Sequence, residues 1–230
     1  MDNKYDAIVV GTGISGGWAA KELCEKGLKT LVLERGPMIK HVEDYRNMFN
    51  DHWDYPHGDV ITNESRKNQP KQSRTGYVNN ESTKHLFVDD NLHPYNESKP
   101  FDWIRGYHVG GRSLTWGRQV YRLSDFDFEA NIKDGIAVDW PIRYKDIAPW
   151  YSYIEEYIGV SGEKLGLPQL PDGEFLKPME MYCVEEHLKN SIAKNYNDRL
   201  LTIGRVAHIT EGSKPGLGRV SCQYRNRCRR

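Results

Sequence analysis

The first forty residues carry the clearest pattern of hydrophobic and polar positions. An apolar run with β-branched residues, Tyr5–Val10, predicts a strand, and an amphipathic segment that ends at Gly27 predicts a helix. A second apolar run, Thr30–Leu33, predicts another strand. This order, strand, helix and strand, is typical of one unit of a parallel α/β sheet.

The turn between the first strand and the helix contains Gly11, Gly13 and Gly16 in G-x-G-x-x-G spacing. Such glycines permit a tight turn, let the backbone approach a pyrophosphate, and let the helix pack close to the strand. Glu34 ends the second strand about twenty residues later, where a carboxylate can bind ribose hydroxyls. We expect a dinucleotide here, either a nicotinamide or a flavin; the plain alternative is a glycine turn that only joins strand to helix.

The periodic pattern disappears between Met38 and Pro100. A loop of this length is unusual in a compact domain, so we expect an insertion that acts as a lid or a subunit-contact arm, or a partly ordered surface insertion. The insertion includes Tyr95 and Lys99, spaced like the catalytic pair of short-chain dehydrogenases. They stand between prolines, where no helix is expected to align them, so we interpret this spacing as coincidence.

Regular structure is predicted again after the insertion. Trp103–Val109 is compatible with a strand, and Gly110 and Gly111 then open a loop whose N–H groups can face an anion or a carbonyl oxygen. The alternative is an ordinary glycine turn among core aromatic residues. Further along, the sequence predicts four elements: a short helix at Leu123–Phe128, helices at Asp146–Tyr157 and Val184–Tyr196, and a strand within Leu200–Ile209.

Composition narrows the function classes. The chain has 230 residues, with 32 basic and 32 acidic residues, so the positive charge typical of a binder of nucleic acid or anionic membrane is missing. No apolar run is long enough to span a bilayer, and the first strand begins at once, so we expect a cytoplasmic protein. The cysteines, Cys24, Cys183, Cys222 and Cys228, are expected to be reduced, and no histidines have metal-ligand spacing.

Three motifs in order resemble one family. They are GTGISGG with Glu34, then RGYHVGGRSLTWGR, then DWPIRYKDIAPWYSYIEEYIGVSG from Asp139 to Gly162. Together they resemble the glucose-methanol-choline (GMC) oxidoreductases, in the branch of pyranose oxidases and the flavin subunits of gluconate and fructose dehydrogenases. The resemblance favours FAD over a nicotinamide cofactor.

The resemblance implies a glutathione-reductase-type, Rossmann-like FAD-binding domain with a parallel sheet, followed by the start of an α+β substrate domain. The implied domain limits are 1–37 for the FAD-binding βαβ unit, 38–100 for the insertion, 101–130 for the flavin-contacting segment, 131–204 for the substrate domain and 205–230 for a segment leading onward. The chain ends in a basic, turn-like stretch, so we expect it to be the N-terminal part of a longer protein.

The resemblance also implies the cofactor-binding residues. They are Gly11, Gly13, Ser15 and Gly16 at the pyrophosphate, Glu34 at the adenosine ribose, Val109, Gly110, Gly111, Ser113 and Thr115 at the flavin, and in addition Ile14 and Arg35. Pyranose oxidases have a flavin-bonded histidine at the place of Thr115, and threonine cannot form that bond, so we expect non-covalent FAD.

The resemblance implies oxidation of a CH–OH group in a sugar, glycoside or sugar acid by hydride transfer to flavin N5. The base would be a histidine beyond Arg230, so none is assigned in this chain; His108 is interpreted as a structural residue. The implied partners are the substrate, an electron acceptor, and a second copy or a small subunit. Related flavin subunits carry an iron–sulfur cluster, but Cys222 and Cys228 are interpreted as ordinary thiols. The remaining alternatives are a nicotinamide-dependent dehydrogenase and a non-catalytic nucleotide-binding module.

Overall fold

The predicted βαβ unit is present at the start of the chain. Strand β1 (Ala7–Val10) leads through the glycine turn into helix α1 (Ile14–Glu25), and strand β2 (Thr30–Leu33) returns parallel to β1. Ala7 is paired with Thr30, and Val10 with Leu33. The computed structural model describes residues 4–40, 43–45, 50–76, 78–212 and 218–222. Within these ranges, the parallel sheet has two strands.

The chain divides into two units, the first ending at Trp116 and the second beginning at Gly117. The mixed α/β content and the small parallel sheet agree with part of a Rossmann-like domain. No described helix is long and apolar enough to cross a membrane. The finer domain limits proposed from the sequence stay predictions.

The insertion has its own small core within the first unit. Its described part contains helix α2 (Asn63–Asn68) and several short 3₁₀ turns. Leu86, Phe87 and Val88 are buried, and beside them Gln72 is completely buried. The insertion lacks apolar periodicity because it packs through isolated side chains and turns.

The residues 101–109, here called the strap, run from the insertion to the second glycine loop. The predicted strand at Trp103–Val109 is wrong, because no ladder forms there among the described residues. The strap is instead held by side-chain bonds: the Gln72 amide donates to the Trp103 carbonyl (3.0 Å) and accepts from the Arg105 N–H (2.9 Å). Isolated backbone bonds complete the set, from the Val88 N–H to the Arg105 carbonyl at 3.0 Å and from the Val109 N–H to the Pro37 carbonyl at 2.9 Å. The strap backbone is thus bonded by single groups and not by a neighbouring strand.

Helices are the main regular elements of the second unit. It contains α3 (Asp125–Phe128), α4 (Ala130–Asp134), α5 (Tyr144–Ile158), the antiparallel pair β3 (Val160–Ser161) and β4 (Val206–Ala207), and α6 (Cys183–Asn195). These elements confirm the three predicted helices. The predicted strand within 200–209 is confirmed only at the two residues of β4. Helix α5 begins at Tyr144, two residues before the predicted start, and ends at Ile158, where Gly159 caps it with a left-handed φ of 76°.

A buried ion pair organises the core of the second unit. The Arg122 guanidinium donates to both Glu155 carboxylate oxygens, at 2.8 and 2.5 Å, and both side chains are almost fully buried. The Tyr144 hydroxyl and the Ser152 hydroxyl accept further bonds from the same guanidinium, at 2.8 and 3.0 Å. The two charges therefore depend on each other, because neither has access to bulk water.

Candidate functional site

The first glycine loop has the geometry that its spacing predicts. Gly11 has a left-handed φ of 90°, and its N–H donates to the Leu33 carbonyl at 2.7 Å. A Cβ on Gly16 would lie 2.0 Å from the Gly11 carbonyl oxygen, so only glycine fits there. A Cβ on Gly13 would meet nothing within 4 Å. The loop is therefore tight where α1 meets the strand and open beside the helix N-terminus.

The N-terminus of α1 is suited to bind an anion. Its N-cap is Gly13, with no capping side chain and no acidic residue in the first turn. The Gly17 N–H is the first to bond back, to the Gly13 carbonyl at 2.8 Å, so the preceding N–H groups have no partner within the helix. Ile14 and Ser15 are exposed there. Free N–H groups at the positive end of a helix dipole favour a phosphate.

Glu34 binds the glycine loop directly. One carboxylate oxygen accepts bonds from the Thr12 hydroxyl and from the Thr12 N–H (2.9 Å), and the other accepts from the N–H groups of Arg35 (2.8 Å) and Gly36 (3.0 Å). The bond from the Thr12 hydroxyl, followed by the backbone bonds from Gly36 and Thr12, lowers the pKa of Glu34 from 4.5 to about 2. Its acceptor sites are filled by the loop, so a ribose hydroxyl would have to replace one of these donors.

The second glycine loop is a 3₁₀ turn, Gly111–Leu114, that begins with two left-handed residues. Gly110 has φ 89° and Gly111 has φ 50°. The Ser113 hydroxyl donates to the Gly110 carbonyl at 2.6 Å, and the buried Thr115 caps the turn through its N–H bond to the Arg112 carbonyl, at 3.1 Å. Just before the turn, the Val109 N–H donates to the Pro37 carbonyl at 2.9 Å.

The two glycine loops meet although they are far apart in sequence. The Gly110 N–H donates to the Thr12 hydroxyl at 3.0 Å, across 98 residues. A Cβ on Gly111 would lie 3.3 Å from the Gly13 Cα. Thr12 thus connects Glu34 to the second loop through one hydroxyl. The structure therefore brings both predicted cofactor-binding segments to one place, beside the start of α1.

Arg35 and the strap form the edge of this site. The Arg35 guanidinium stacks on the Tyr107 ring, with its central carbon 3.7 Å from the ring centroid. A Cβ on Gly36 would lie 2.1 Å from the Tyr107 carbonyl oxygen, so the strap crosses the end of β2 at backbone contact. Arg35, one of the predicted cofactor-binding residues, is exposed at this crossing.

Two polar atoms beside the second loop are buried without a partner among the described residues: His108 Nδ1 and Arg112 Nη1. His108 is only 3% exposed, and its Nε2 lies 3.1 Å from the Leu86 carbonyl oxygen; its structural role stays a prediction. Buried polar atoms without partners are rare. The open space at Gly13, with the unpartnered Arg112 Nη1 on the loop that packs against it, is compatible with a bound polar ligand.

Sequence reasoning missed Thr12 and Arg112. Thr12 lies between Gly11 and Gly13, and a hydroxyl at that place could have indicated a hydrogen-bonding role in the loop. Arg112 follows the Gly110–Gly111 pair directly, and a cation after a candidate anion-binding turn was the corresponding signal. Neither could be assigned without knowing that the two loops touch.

The Tyr95–Lys99 pair lies outside any helix, which agrees with coincidence. The Tyr95 hydroxyl instead donates to the Phe101 carbonyl and accepts from the Trp103 N–H at 3.0 Å.

The cysteines give no new site. Cys24 and Cys183 are exposed thiols, and Cys222 is partly buried. Cys228 lies outside the described residues, so an iron–sulfur site is not tested. Within the described ranges, no three histidine, cysteine, aspartate or glutamate side chains come together as a metal site.

Comparison with known proteins gives distant relatives. The chain is 26% identical to the fructose dehydrogenase large subunit of Gluconobacter japonicus, over 97% of this chain and 39% of that protein. It is 29% identical to the gluconate 2-dehydrogenase flavoprotein of Pantoea cypripedii, over 69% of this chain and 26% of the relative. It is 27% identical to the 6'''-hydroxyparomomycin C oxidase of Streptomyces lividus, over 70% of this chain and 24% of the relative.

No family model matches the chain. The chain spans between about a quarter and two-fifths of the length of these curated relatives. Their names describe dehydrogenases and an oxidase, one of them a flavoprotein. The chain is thus distantly related to oxidoreductases.

Proposed function

We propose that this chain is the FAD-binding part of a GMC-type oxidoreductase that oxidises a CH–OH group of a sugar, glycoside or sugar acid. The observation that carries the proposal is the contact between the two glycine loops, made by the Gly110 N–H and the Thr12 hydroxyl at 3.0 Å. A dinucleotide needs a phosphate site and a site for its second half, and this contact brings the two candidate segments side by side. The relatives named as dehydrogenases and as a flavoprotein support the same reaction class.

The residues divide the binding of FAD among them. The N–H groups at the start of α1, with Gly11, Gly13 and Gly16, hold the diphosphate. Glu34 is held as a carboxylate by its hydrogen bonds, and it binds the adenosine ribose by exchanging the Thr12 hydroxyl for ribose hydroxyls.

The second loop holds the flavin half through Val109, Gly110, Gly111, Ser113 and Thr115. Because position 115 is threonine, we propose that FAD is bound without a covalent bond. Bound FAD would supply a two-electron acceptor for the hydride on the substrate carbon. No histidine of this chain is assigned as the base that takes the hydroxyl proton.

We also propose that the protein is cytoplasmic and that its partner is a second copy of the chain or a small subunit.

The test is a visible absorption spectrum of the purified chain after incubation with FAD and gel filtration. We expect flavin bands to elute with the protein, and acid precipitation to release all the flavin into the supernatant. Yellow colour that stays in the precipitate would contradict the non-covalent bond. Protein that elutes without flavin would contradict FAD binding.

Calorimetric titration with NAD⁺ distinguishes the proposed FAD-binding protein from a nicotinamide-dependent dehydrogenase, the main alternative. Binding of NAD⁺ and not of FAD would support a nicotinamide-dependent dehydrogenase. If FAD binds but sugars and sugar acids do not bleach it under anaerobic conditions, the chain is a nucleotide-binding module without turnover of its own.

A further inference from the structure

Arg112 is a cation without an anionic partner in the part of the chain that the structure describes. It lies in the 3₁₀ turn Gly111–Leu114, where its Nη1 is buried and has no hydrogen-bond partner. Its guanidinium carbon lies 5.7 Å from the centroid of the Phe87 ring. An aromatic face is a weak partner for a guanidinium compared with a carboxylate or a phosphate.

Unlike Arg112, the well-buried arginines among the described residues lie close to a carboxylate. Arg105 lies 3.5 Å from an Asp90 oxygen and donates to the His93 carbonyl at 2.6 Å. Arg122 is bidentate to Glu155, and Arg205 donates to Asp172 at 2.9 Å. Each of these guanidinium groups therefore meets a carboxylate. Arginine cannot lose its charge by deprotonation, so a partly buried guanidinium without a counter-charge is unfavourable until an anion binds.

The position of Arg112 indicates which anion this is. Its neighbour Gly111 packs against Gly13, the N-cap residue of α1, so closely that a Cβ on Gly111 would lie 3.3 Å from the Gly13 Cα. The start of α1 has no acidic residue and no capping side chain. Glu34, the carboxylate that binds this loop, is already engaged by Thr12, Arg35 and Gly36. The backbone next to Arg112 therefore lies against the start of α1, and the carboxylate of the first glycine loop is already bonded to that loop.

We propose that Arg112 binds the diphosphate of the dinucleotide, so that the second glycine loop contributes charge to the phosphate site as well as surface to the flavin. The proposal rests on the proposed function, because it assumes a dinucleotide at the first glycine loop. A guanidinium fork matches two phosphate oxygens, which a backbone N–H group cannot do alone.

The test compares Arg112→Gln with the wild-type chain for three probes: FAD, ADP, which has the diphosphate without flavin, and riboflavin, which has the flavin without phosphate. We expect the Kd of FAD and of ADP to rise about ten- to hundredfold, as for the loss of a charge-assisted hydrogen bond. The Kd of riboflavin should not change. Arg112→Lys should give an intermediate Kd for FAD, because it keeps the charge and loses the fork.

The control is Arg66→Gln, which removes the same charge from an exposed position on α2 and should leave all three Kd values unchanged. The unfolding temperature without ligand provides a second readout. Removal of a cation that lacks a partner should not lower it, whereas removal of a structural arginine would.

Four results would overturn the inference. An unchanged Kd for both FAD and ADP would show that Arg112 does not touch the phosphates. If Arg112→Gln raises the Kd of riboflavin and leaves the Kd of ADP unchanged, the guanidinium lies at the flavin ring and not at the phosphates. A lower unfolding temperature of ligand-free Arg112→Gln would show a structural role. If the wild-type chain binds neither FAD nor ADP, the proposed function fails first and the role of Arg112 fails with it.

Discussion

Replacement of Glu34 by glutamine tests whether this carboxylate holds the glycine loop in place. The carboxylate accepts four hydrogen bonds, two from Thr12 and one each from the N–H groups of Arg35 and Gly36. A glutamine side chain has one carbonyl oxygen, and its NH₂ group cannot accept the bonds made to the second carboxylate oxygen. The Glu34→Gln variant therefore leaves two donors of the loop without their acceptor.

The magnitude follows from the lowered pKa. A shift from 4.5 to about 2 corresponds to at most about 3 kcal/mol of stability at neutral pH. Glu34 is partly exposed, so solvent screening reduces this to about 1–2 kcal/mol. Because the pKa in the folded chain is below its unfolded value, the stabilisation is present above pH 4.5 and is lost as the pH falls through 4.5 toward 2.

The assay is urea unfolding of the wild-type chain and Glu34→Gln at pH 7 and at pH 2. We expect a difference in the free energy of unfolding of about 1–2 kcal/mol at pH 7 and close to zero at pH 2. Hydrogen exchange at pH 7 should be faster in the variant at the Thr12 amide. Glu180→Gln, at a side chain that is 87% exposed, is the control and should change neither quantity. An equal difference at both pH values would refute the reasoning, because it would not depend on the ionised carboxylate.

Two further substitutions test the packing of each unit. Gly16→Ala should lower the free energy of unfolding by about 2–3 kcal/mol in urea titration, because its Cβ would lie 2.0 Å from the Gly11 carbonyl oxygen. Gly17→Ala is the control and should not lower it, because the nearest atom to its Cβ is 3.7 Å away. Equal effects of the two substitutions would contradict the close-packing argument. Arg122→Met should cost about 3–5 kcal/mol, since it leaves Glu155 buried and unpaired, and adding Glu155→Leu should recover most of that loss. A double variant as unstable as the single one would show that the pair is not the cause.

The local elements of this chain were predictable because their signals lie within a few residues of each other. The strand at 30–33 and the helices predicted at 146–157 and 184–196 depend on apolar periodicity. The predicted strand at Trp103–Val109 failed for a physical reason. Its residues suit an extended backbone, but a strand needs a neighbouring strand, and here a buried glutamine amide and isolated backbone groups bond to it instead.

The sequence by itself determined the glycine loop, its helix and the residue types that suit a dinucleotide, because the requirements of a tight turn and an open helix N-terminus are local. Only the tertiary structure decided that the loop at Gly110 meets the loop at Thr12, that Glu34 is bound by its own loop, and that Arg112 has no counter-charge among the described residues. These facts depend on pairs of residues separated by tens of positions. Such contacts are set by how the whole unit packs, and no periodicity along the chain records them.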